Sequence, residues 1–77
     1  MLRLVFLGRL GDVAGAGERE VPNAATIAAL IDSLEPLLAA ALIDPRVRYA
    51  VNGVVSARDA ALPAGAEVAF LPAVSGG

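Results

Sequence analysis

Three reactive side chains are missing from the 77-residue sequence, which contains no Cys, no His and no Lys. Without Cys there can be no disulfide, no thiolate metal ligand and no thiol nucleophile. Without His the chain lacks the commonest general base and the commonest metal ligand. Without Lys it has no Schiff-base lysine, and its N-terminal amine is the only amine that could accept an acyl group. A self-sufficient enzyme is therefore difficult to build from these residues.

Length, charge and hydrophobic runs limit the class of protein further. A chain of 77 residues corresponds to one domain near the lower size limit for a single core. The formal net charge is −2, which argues against a nucleic-acid binder because neutralising phosphates takes a basic patch. The longest apolar run covers residues 37 to 43, far short of the roughly 18 residues that cross a membrane. Arg3 and Arg9 interrupt the apolar N-terminal segment, so we expect a cytoplasmic protein without a signal peptide.

The N-terminal half predicts two strands and then a helical region. The stretch LRLVFLG is typical of a first strand and EREVP of a second, joined in a hairpin by the glycine-rich loop GDVAGAG. Thr26 has the side chain of an N-cap, for a helix that ends near Leu34. Pro36 cannot continue this helix and would instead open a second short helical piece. The apolar face of the first helix consists of Ile27, Leu30, Ile31 and Leu34.

The C-terminal half predicts the remaining strands. RVRYAVNGVV alternates and contains Asn52-Gly53, a strong tight-turn pair, while EVAFLP forms the last strand. This order of elements buries its apolar faces most economically when a helix crosses one face of a small mixed sheet. The sequence therefore predicts an α+β fold of the β-grasp, ubiquitin-like type, with about five strands and one main helix on one face. The first and last strands should be parallel neighbours at the centre of the sheet.

Alternation within the strands separates an inner from an outer face of the sheet. Arg3 and Glu67 mark the outer face in the first and last strands, and the third strand places Ala50 outside. The inner set is Leu2, Leu4, Phe6, Val47, Tyr49, Val51, Val68 and Phe70. The outer face then has an apolar centre and an arginine rim, which is typical of a protein-binding patch: Val5, Leu7, Ala69 and Leu71, bordered by Arg3, Arg46 and Arg48. The alternative is that these are single exposed apolar residues of an ordinary surface.

The end of the sequence predicts a flexible tail over residues 72 to 77. Pro72 fixes φ and lacks a backbone donor, so it ends the sheet pairing. Val74 could anchor the tail in a partner's groove. The residues beyond it are small enough to enter a narrow channel, namely Ser75, Gly76 and Gly77. Such a tail would present the Gly77 carboxylate to another protein's active site. The alternative is an incidental ending, since average glycine usage gives a terminal Gly-Gly pair in roughly one chain in two hundred.

Three stretches, LRLVFLGRLGDVAG, VNG and EVAFLPAVSGG, resemble the small subunits of molybdopterin synthase, the MoaD-type sulfur carriers. The resemblance covers nearly the whole chain, and its most specific part is the strand-Pro-x-Val-x-Gly-Gly ending. Members of that family usually have two prolines before the valine, whereas this chain has Ala73 at the second position. Its helical region is also short and interrupted at Pro36. Neither difference touches the Gly-Gly ending.

The resemblance implies a function in sulfur transfer. The reactive end of the tail would be Gly76 and Gly77. A ubiquitin-activating-type adenylyltransferase would use ATP to adenylate the carboxylate of Gly77. A sulfurtransferase donor would then convert the adenylate into a thiocarboxylate. The tail would then enter the large subunit of molybdopterin synthase and supply sulfur for the dithiolene of molybdopterin, with two small subunits flanking a dimer of large subunits. The chain would bind no cofactor tightly and catalyse nothing alone. Its partner-binding residues would be Leu7, Arg48, Leu71, Pro72, Val74 and Ser75.

Other functions fit the same features. The chain could carry sulfur for thiamine thiazole synthesis or another pathway, or it could be a ubiquitin-like modifier whose Gly77 is joined to target lysines. It could also be a plain interaction domain with an incidental tail. The product separates the first two, because a carrier yields a free thiocarboxylate and a modifier yields isopeptide conjugates. Deleting Gly76 and Gly77 separates the third function from the other two, because binding by a plain interaction domain should survive the deletion.

Overall fold

The computed structural model describes residues 1–72, and the predicted tail residues 73 to 77 lie outside this part. The strands within residues 1–72 are β1 (Leu2–Phe6), β2 (Glu18–Val21), β3 (Arg48–Val51), β4 (Val54–Ser56) and β5 (Glu67–Leu71). The helices of the same region are α1 (Leu10–Ala14), α2 (Ile27–Asp32) and α3 (Pro36–Leu42). The predicted α+β, β-grasp fold is confirmed.

The strands form a mixed sheet in the order β2-β1-β5-β3-β4. β1 and β5 run parallel at its centre, with Leu4 opposite Val68 and Phe6 opposite Phe70. All other neighbouring pairs are antiparallel. The predicted central, parallel pairing of the first and last strands is thus confirmed. Asn52 and Gly53 have positive φ angles of 49° and 84°, as a tight turn between β3 and β4 requires.

The connection between β1 and β2 is more ordered than a hairpin loop. It contains the five-residue helix α1, whose Leu10 and Ala14 are buried four positions apart on one face. Gly15 ends α1 in the left-handed conformation, with φ at 79°. The loop prediction was therefore wrong at this point. The burial of two apolar side chains against the core outweighs the low helix propensity of a glycine-rich stretch.

Thr26 and Pro36 mark the starts of two separate helices, α2 and α3. The side-chain Oγ1 of Thr26 accepts a hydrogen bond of 3.1 Å from the backbone N–H of Ala29, which confirms the predicted N-cap of α2. α2 ends at Asp32, two residues before the predicted Leu34. Pro36 occupies the first turn of α3, as predicted. The face of the sheet is thus covered by short helices in place of one main helix.

The core lies between the helices and the inner face of the sheet. The rings of Phe6 and Phe70 stack with their centroids 5.4 Å apart, and Tyr49 meets Phe70 edge-on at 5.8 Å. The hydroxyl of Tyr49 donates to the carbonyl of Leu42 at the end of α3, so its polar end is satisfied inside the core. The predicted inner set is confirmed as buried, except for the half-buried Val51.

Arg19 joins β2 to the helices by several contacts. Its guanidinium donates to both carboxylate oxygens of Glu35, at 2.7 and 3.0 Å, and to the carbonyl of Ala14 at 2.7 Å. The same group lies 5.9 Å from the ring centroid of Phe6. Glu35 is the residue before α3 and Ala14 is the last residue of α1. One side chain therefore fixes the ends of two helices against the edge of the sheet.

Replacing Phe70 should destabilise the protein much more than replacing Leu71, because these neighbouring residues of β5 point to different faces. Phe70 is fully buried, so Phe70→Ala should cost about 3–5 kcal/mol of the free energy of unfolding. Leu71 is half-buried on the outer face, so Leu71→Asp should cost about 1 kcal/mol or less. Urea unfolding followed by circular dichroism measures both. A larger loss from Leu71→Asp would mean that the register of β5 is shifted by one residue.

Glu35→Gln should make the protein less sensitive to acid. Hydrogen bonds from Arg19 are the main cause that lowers the pKa of Glu35 from 4.5 to about 2. The ion pair therefore contributes fully above about pH 4.5 and loses its contribution as the pH falls towards about 2. Urea unfolding at about pH 7 and about pH 3 should show a smaller loss in the variant than in the wild type. Equal losses would show that the pair contributes nothing to stability.

Candidate functional site

A row of small apolar residues crosses the outer face of the sheet. Val5 of β1 lies opposite Ala69 of β5, Ala69 opposite Ala50 of β3, and Ala50 opposite Val55 of β4. Directly opposed residues share a face, so these four side chains form one uncharged strip. Val5 and Ala69 are half-buried, Ala50 is only 8% exposed and Val55 is 70% exposed, so the strip is most accessible at the β4 edge.

Val55 was not included in the predicted patch. The sequence does contain a signal for it, because a two-residue Asn52-Gly53 turn pairs Val51 with Val54 and Ala50 with Val55. Once Ala50 is assigned to the outer face, the pairing places Val55 there too. The apolar strip therefore extends to the edge of the sheet.

Leu7, Leu71 and Arg48 lie at the end of this face where the chain leaves the sheet. Leu71 is directly opposite Arg48. Leu7 follows Phe6, the residue paired with Phe70, and its N–H donates to the Phe70 carbonyl at 3.1 Å. Leu7 is 42% exposed, Leu71 is half-buried and Arg48 is exposed. The structure thus brings together three of the predicted partner-binding residues beside the start of the tail.

The opposite end of the outer face is charged. Arg3 donates to Oε1 of Glu18 through Nε at 3.0 Å and Nη2 at 2.6 Å, and this carboxylate raises the pKa of Arg3 above its ordinary value. Arg3 is also opposite Glu20 on β2 and Glu67 on β5. Carboxylates outnumber the arginine there, so this end is acidic. The face is therefore polarised, with an acidic end and an apolar end that carries Arg48.

Arg46 does not belong to the rim that the alternation predicts. It precedes β3, and its guanidinium donates to Asp44 through Nε at 3.1 Å and Nη2 at 2.9 Å. The hydrogen bonds from Arg46 are the main cause that lowers the pKa of Asp44 to about 2. The strand starts at Arg48, so the period-two pattern does not extend back to Arg46.

Pro72 is the last residue that the structure describes, and it is half-buried. It lines a groove of about 340 Å³ between α1 and α3, beside the exit of the chain from β5. The groove's other lining residues are Arg9, Leu10, Asp12, Val13, Ala41, Asp44 and Val47. The predicted site residues Val74, Ser75, Gly76 and Gly77 lie outside the described residues, so their role stays a prediction.

The described part of the chain offers a binding surface. Within residues 1–72, no group of three or more His, Cys, Asp or Glu side chains could hold a metal ion. Among these residues the one polar side-chain group in the core is the Tyr49 hydroxyl, which the Leu42 carbonyl already satisfies. None of their helices is long and apolar enough to cross a membrane. The outer face of the sheet, with its apolar centre and charged end, is suited to bind another protein.

Known proteins share this fold over nearly the whole chain. SAMP1 from Haloferax volcanii is 29% identical with a TM-score of 0.77, covering 99% of this chain and 98% of its own. A Pyrococcus furiosus protein described as molybdopterin converting factor subunit 1 is 25% identical with a TM-score of 0.74, covering 95% and 97%. A chain of the Amycolatopsis orientalis BexX/CysO complex is 20% identical with a TM-score of 0.77 and full coverage of both, a likeness of fold alone.

Curated proteins gave no match to the sequence. The model of the ThiS family matches residues 4–77 and so includes both the outer face and the terminal glycines. This match covers more than half of the chain, and the solved structures agree with it in fold. The chain therefore belongs to the ThiS family and is a ubiquitin-like sulfur carrier or modifier.

Proposed function

We propose that the chain is the sulfur-carrier subunit of a molybdopterin synthase. The observation that carries the proposal is the position of the tail: the central strand β5 ends at Leu71, beside an apolar outer face, and the family match runs on to Gly77. The likeness to the Pyrococcus furiosus protein described as molybdopterin converting factor subunit 1 supports this pathway. The proposal requires that Gly77 carry a free carboxylate.

The chemistry at Gly77 proceeds in two substitutions, the first at the α-phosphorus of ATP and the second at the carbonyl carbon of Gly77. The carboxylate attacks the α-phosphorus of ATP, so that pyrophosphate leaves and an acyl-adenylate forms. A sulfide equivalent from the sulfur donor then attacks the carbonyl carbon, a C–S bond forms, and AMP leaves to give the thiocarboxylate. Side chains of the activating partner supply acid and base, because this chain has no His, Cys or Lys. The chain's own contribution is the acyl group and its delivery.

The outer face docks the large subunit and thereby delivers the tail. Leu7, Leu71 and Arg48 surround the exit of the chain, so a protein bound to this face covers the start of the tail. Five residues follow Pro72, and a fully extended segment of that length reaches at most about 17 Å. The partner's active site must therefore lie within about this distance of the docked face. We further propose that two such carriers flank a dimer of large subunits in the cytoplasm.

A protein modifier is the second candidate, and the likeness to SAMP1, a small archaeal modifier protein, favours it. Activation by adenylation is common to both candidates. They differ in the nucleophile that attacks the adenylate, which is a sulfide equivalent for a carrier and a lysine amine for a modifier. A carrier for thiazole synthesis differs in the acceptor of the sulfur.

Incubation with ATP, a ubiquitin-activating-type adenylyltransferase and a sulfide source should convert Gly77 into a thiocarboxylate. Intact mass spectrometry should show a gain equal to the exchange of one oxygen for sulfur, localised to Gly77 by fragmentation. A chain lacking Gly76 and Gly77 is the control and should keep its mass. An unchanged wild-type mass would contradict the carrier function, and lysine-linked conjugates of higher mass would favour the modifier. Transfer of the sulfur to the pyranopterin precursor in the presence of the large subunit then tests the pathway.

Leu71→Asp should weaken binding to the molybdopterin synthase large subunit at least tenfold, about 1.4 kcal/mol, because it places a charge at the apolar end of the docking face. Leu37→Asp is the matched control, since Leu37 is 83% exposed on α3, away from the sheet. It should leave the Kd unchanged. Titration calorimetry measures both variants. Equal effects of the two substitutions would place the docking face elsewhere.

A further inference from the structure

Gly8 lies where the turn after β1 meets the residue that follows β5. Its φ angle is +55°, in the left-handed region that favours glycine. A Cβ atom placed on Gly8 would lie 3.1 Å from Cγ of Pro72 and 4.0 Å from Cδ. The first distance is shorter than the roughly 3.5–4.0 Å at which carbon atoms pack favourably. The ring of Pro72 therefore occupies the space that a side chain on residue 8 would need.

The turn that carries Gly8 is held on both sides. The N–H of Leu7 donates to the carbonyl of Phe70 at 3.1 Å, which extends the contact between β1 and β5. The carbonyls of Leu7 and Gly8 accept from the N–H groups of Leu10 and Gly11, at 3.2 and 3.1 Å, at the start of α1. Moving the turn would break these hydrogen bonds. A side chain on residue 8 would therefore displace Pro72 before it displaced the turn.

Pro72 passes this constraint to the tail. It has no backbone N–H, so the hydrogen bonds of the sheet cannot hold it as they hold Leu71. Its ring also fixes its φ angle, so the position of the ring sets where the carbonyl carbon of Pro72 lies. The packing of the ring against Gly8 thus determines where the tail starts.

We propose that Gly8 is a positioning residue for the tail. Its missing side chain makes room for the ring of Pro72 and so fixes the point from which the chain continues into residues 73 to 77. The catalytic consequence rests on the proposed function, whereas the seating of Pro72 does not. Gly8 contacts no reacting atom and acts through Pro72 alone.

Gly8→Ala tests the proposal against a matched control, Gly15→Ala. Gly15 also has a left-handed φ, +79°, but no atom lies within 4 Å of a Cβ placed on it. The two substitutions therefore impose the same kind of backbone strain, and only the first meets Pro72. Pro72→Ala approaches the contact from the other side, because it removes Cγ without straining residue 8, and it serves if Gly8→Ala fails to fold.

Two readouts separate the seating from the chemistry. In ¹H–¹⁵N spectra of the free protein, the amide signals of Ala73 and Val74 should shift in Gly8→Ala and stay in place in Gly15→Ala. In Pro72→Ala the informative signal is the amide of Gly8, which is distant in sequence and should shift because the ring beside it is removed. Thiocarboxylate formation by the adenylyltransferase should slow severalfold, up to roughly tenfold, in Gly8→Ala and Pro72→Ala and remain near the wild-type rate in Gly15→Ala.

Gly8→Ala and Gly15→Ala with the same tail spectra would overturn the proposal, and so would Pro72→Ala with an unshifted Gly8 signal and the wild-type rate. If Gly8→Ala shifts the amide signals of the tail but leaves the rate of thiocarboxylate formation unchanged, Gly8 seats Pro72 but has no positioning role in the reaction. If the wild-type chain forms no thiocarboxylate, the proposed function fails, and the spectra still decide whether Gly8 seats Pro72.

Discussion

The parallel pairing of β1 with β5 is the constraint on which the rest of the structure depends. It places the last strand at the centre of the sheet, where Val68 and Phe70 are fully buried. Parallel neighbours cannot be joined by a tight turn, so the chain between them must cross over and cover the inner face. The short helices do this, and Arg19 fastens two of their ends to β2. Because β5 is central, the tail leaves from the most strongly held strand instead of a frayed edge.

The two faces of the sheet differ in side-chain size as well as in polarity. Aromatic rings fill the inner face, where Phe70 contacts both Phe6 and Tyr49. On the outer face the central pair is Ala50 and Ala69, which leave a shallow apolar surface. A surface of this kind can be covered by a partner with little loss of side-chain entropy, because alanine has no rotamers to order. The folded state does not need the outer face for its core, so that face is free to serve recognition.

The sequence predicts the features that rest on local chemistry and fails where tertiary packing decides. Strand periodicity, the Thr26 cap and the Pro36 helix start all follow from rules that act within a few residues. Helix α1 could not be predicted, because its glycines indicate a loop and only the burial of Leu10 and Ala14 makes it helical. Likewise, Arg19 and Glu35 are sixteen residues apart, and nothing local indicates that they pair. The outer face of the site could be predicted except for Val55, which was missed, and Arg46, which precedes β3. The contact of Gly8 with Pro72 depends on the exact approach of two strand ends.

In the proposed function, the fold contributes placement, and the chemistry belongs to the carboxyl end of the chain. Carriers and modifiers share activation of a terminal glycine, so the tail alone cannot determine which pathway the protein serves. The pathway would be determined by the residues that a partner contacts before the tail. These residues form the polarised outer face, with its acidic end around Arg3 and its apolar end at Leu7 and Leu71. A partner must match this polarity to bring its active site over the chain's exit, because reversing the orientation would set apolar surface against charge. Orientation on the face and reach of the tail together select the acceptor.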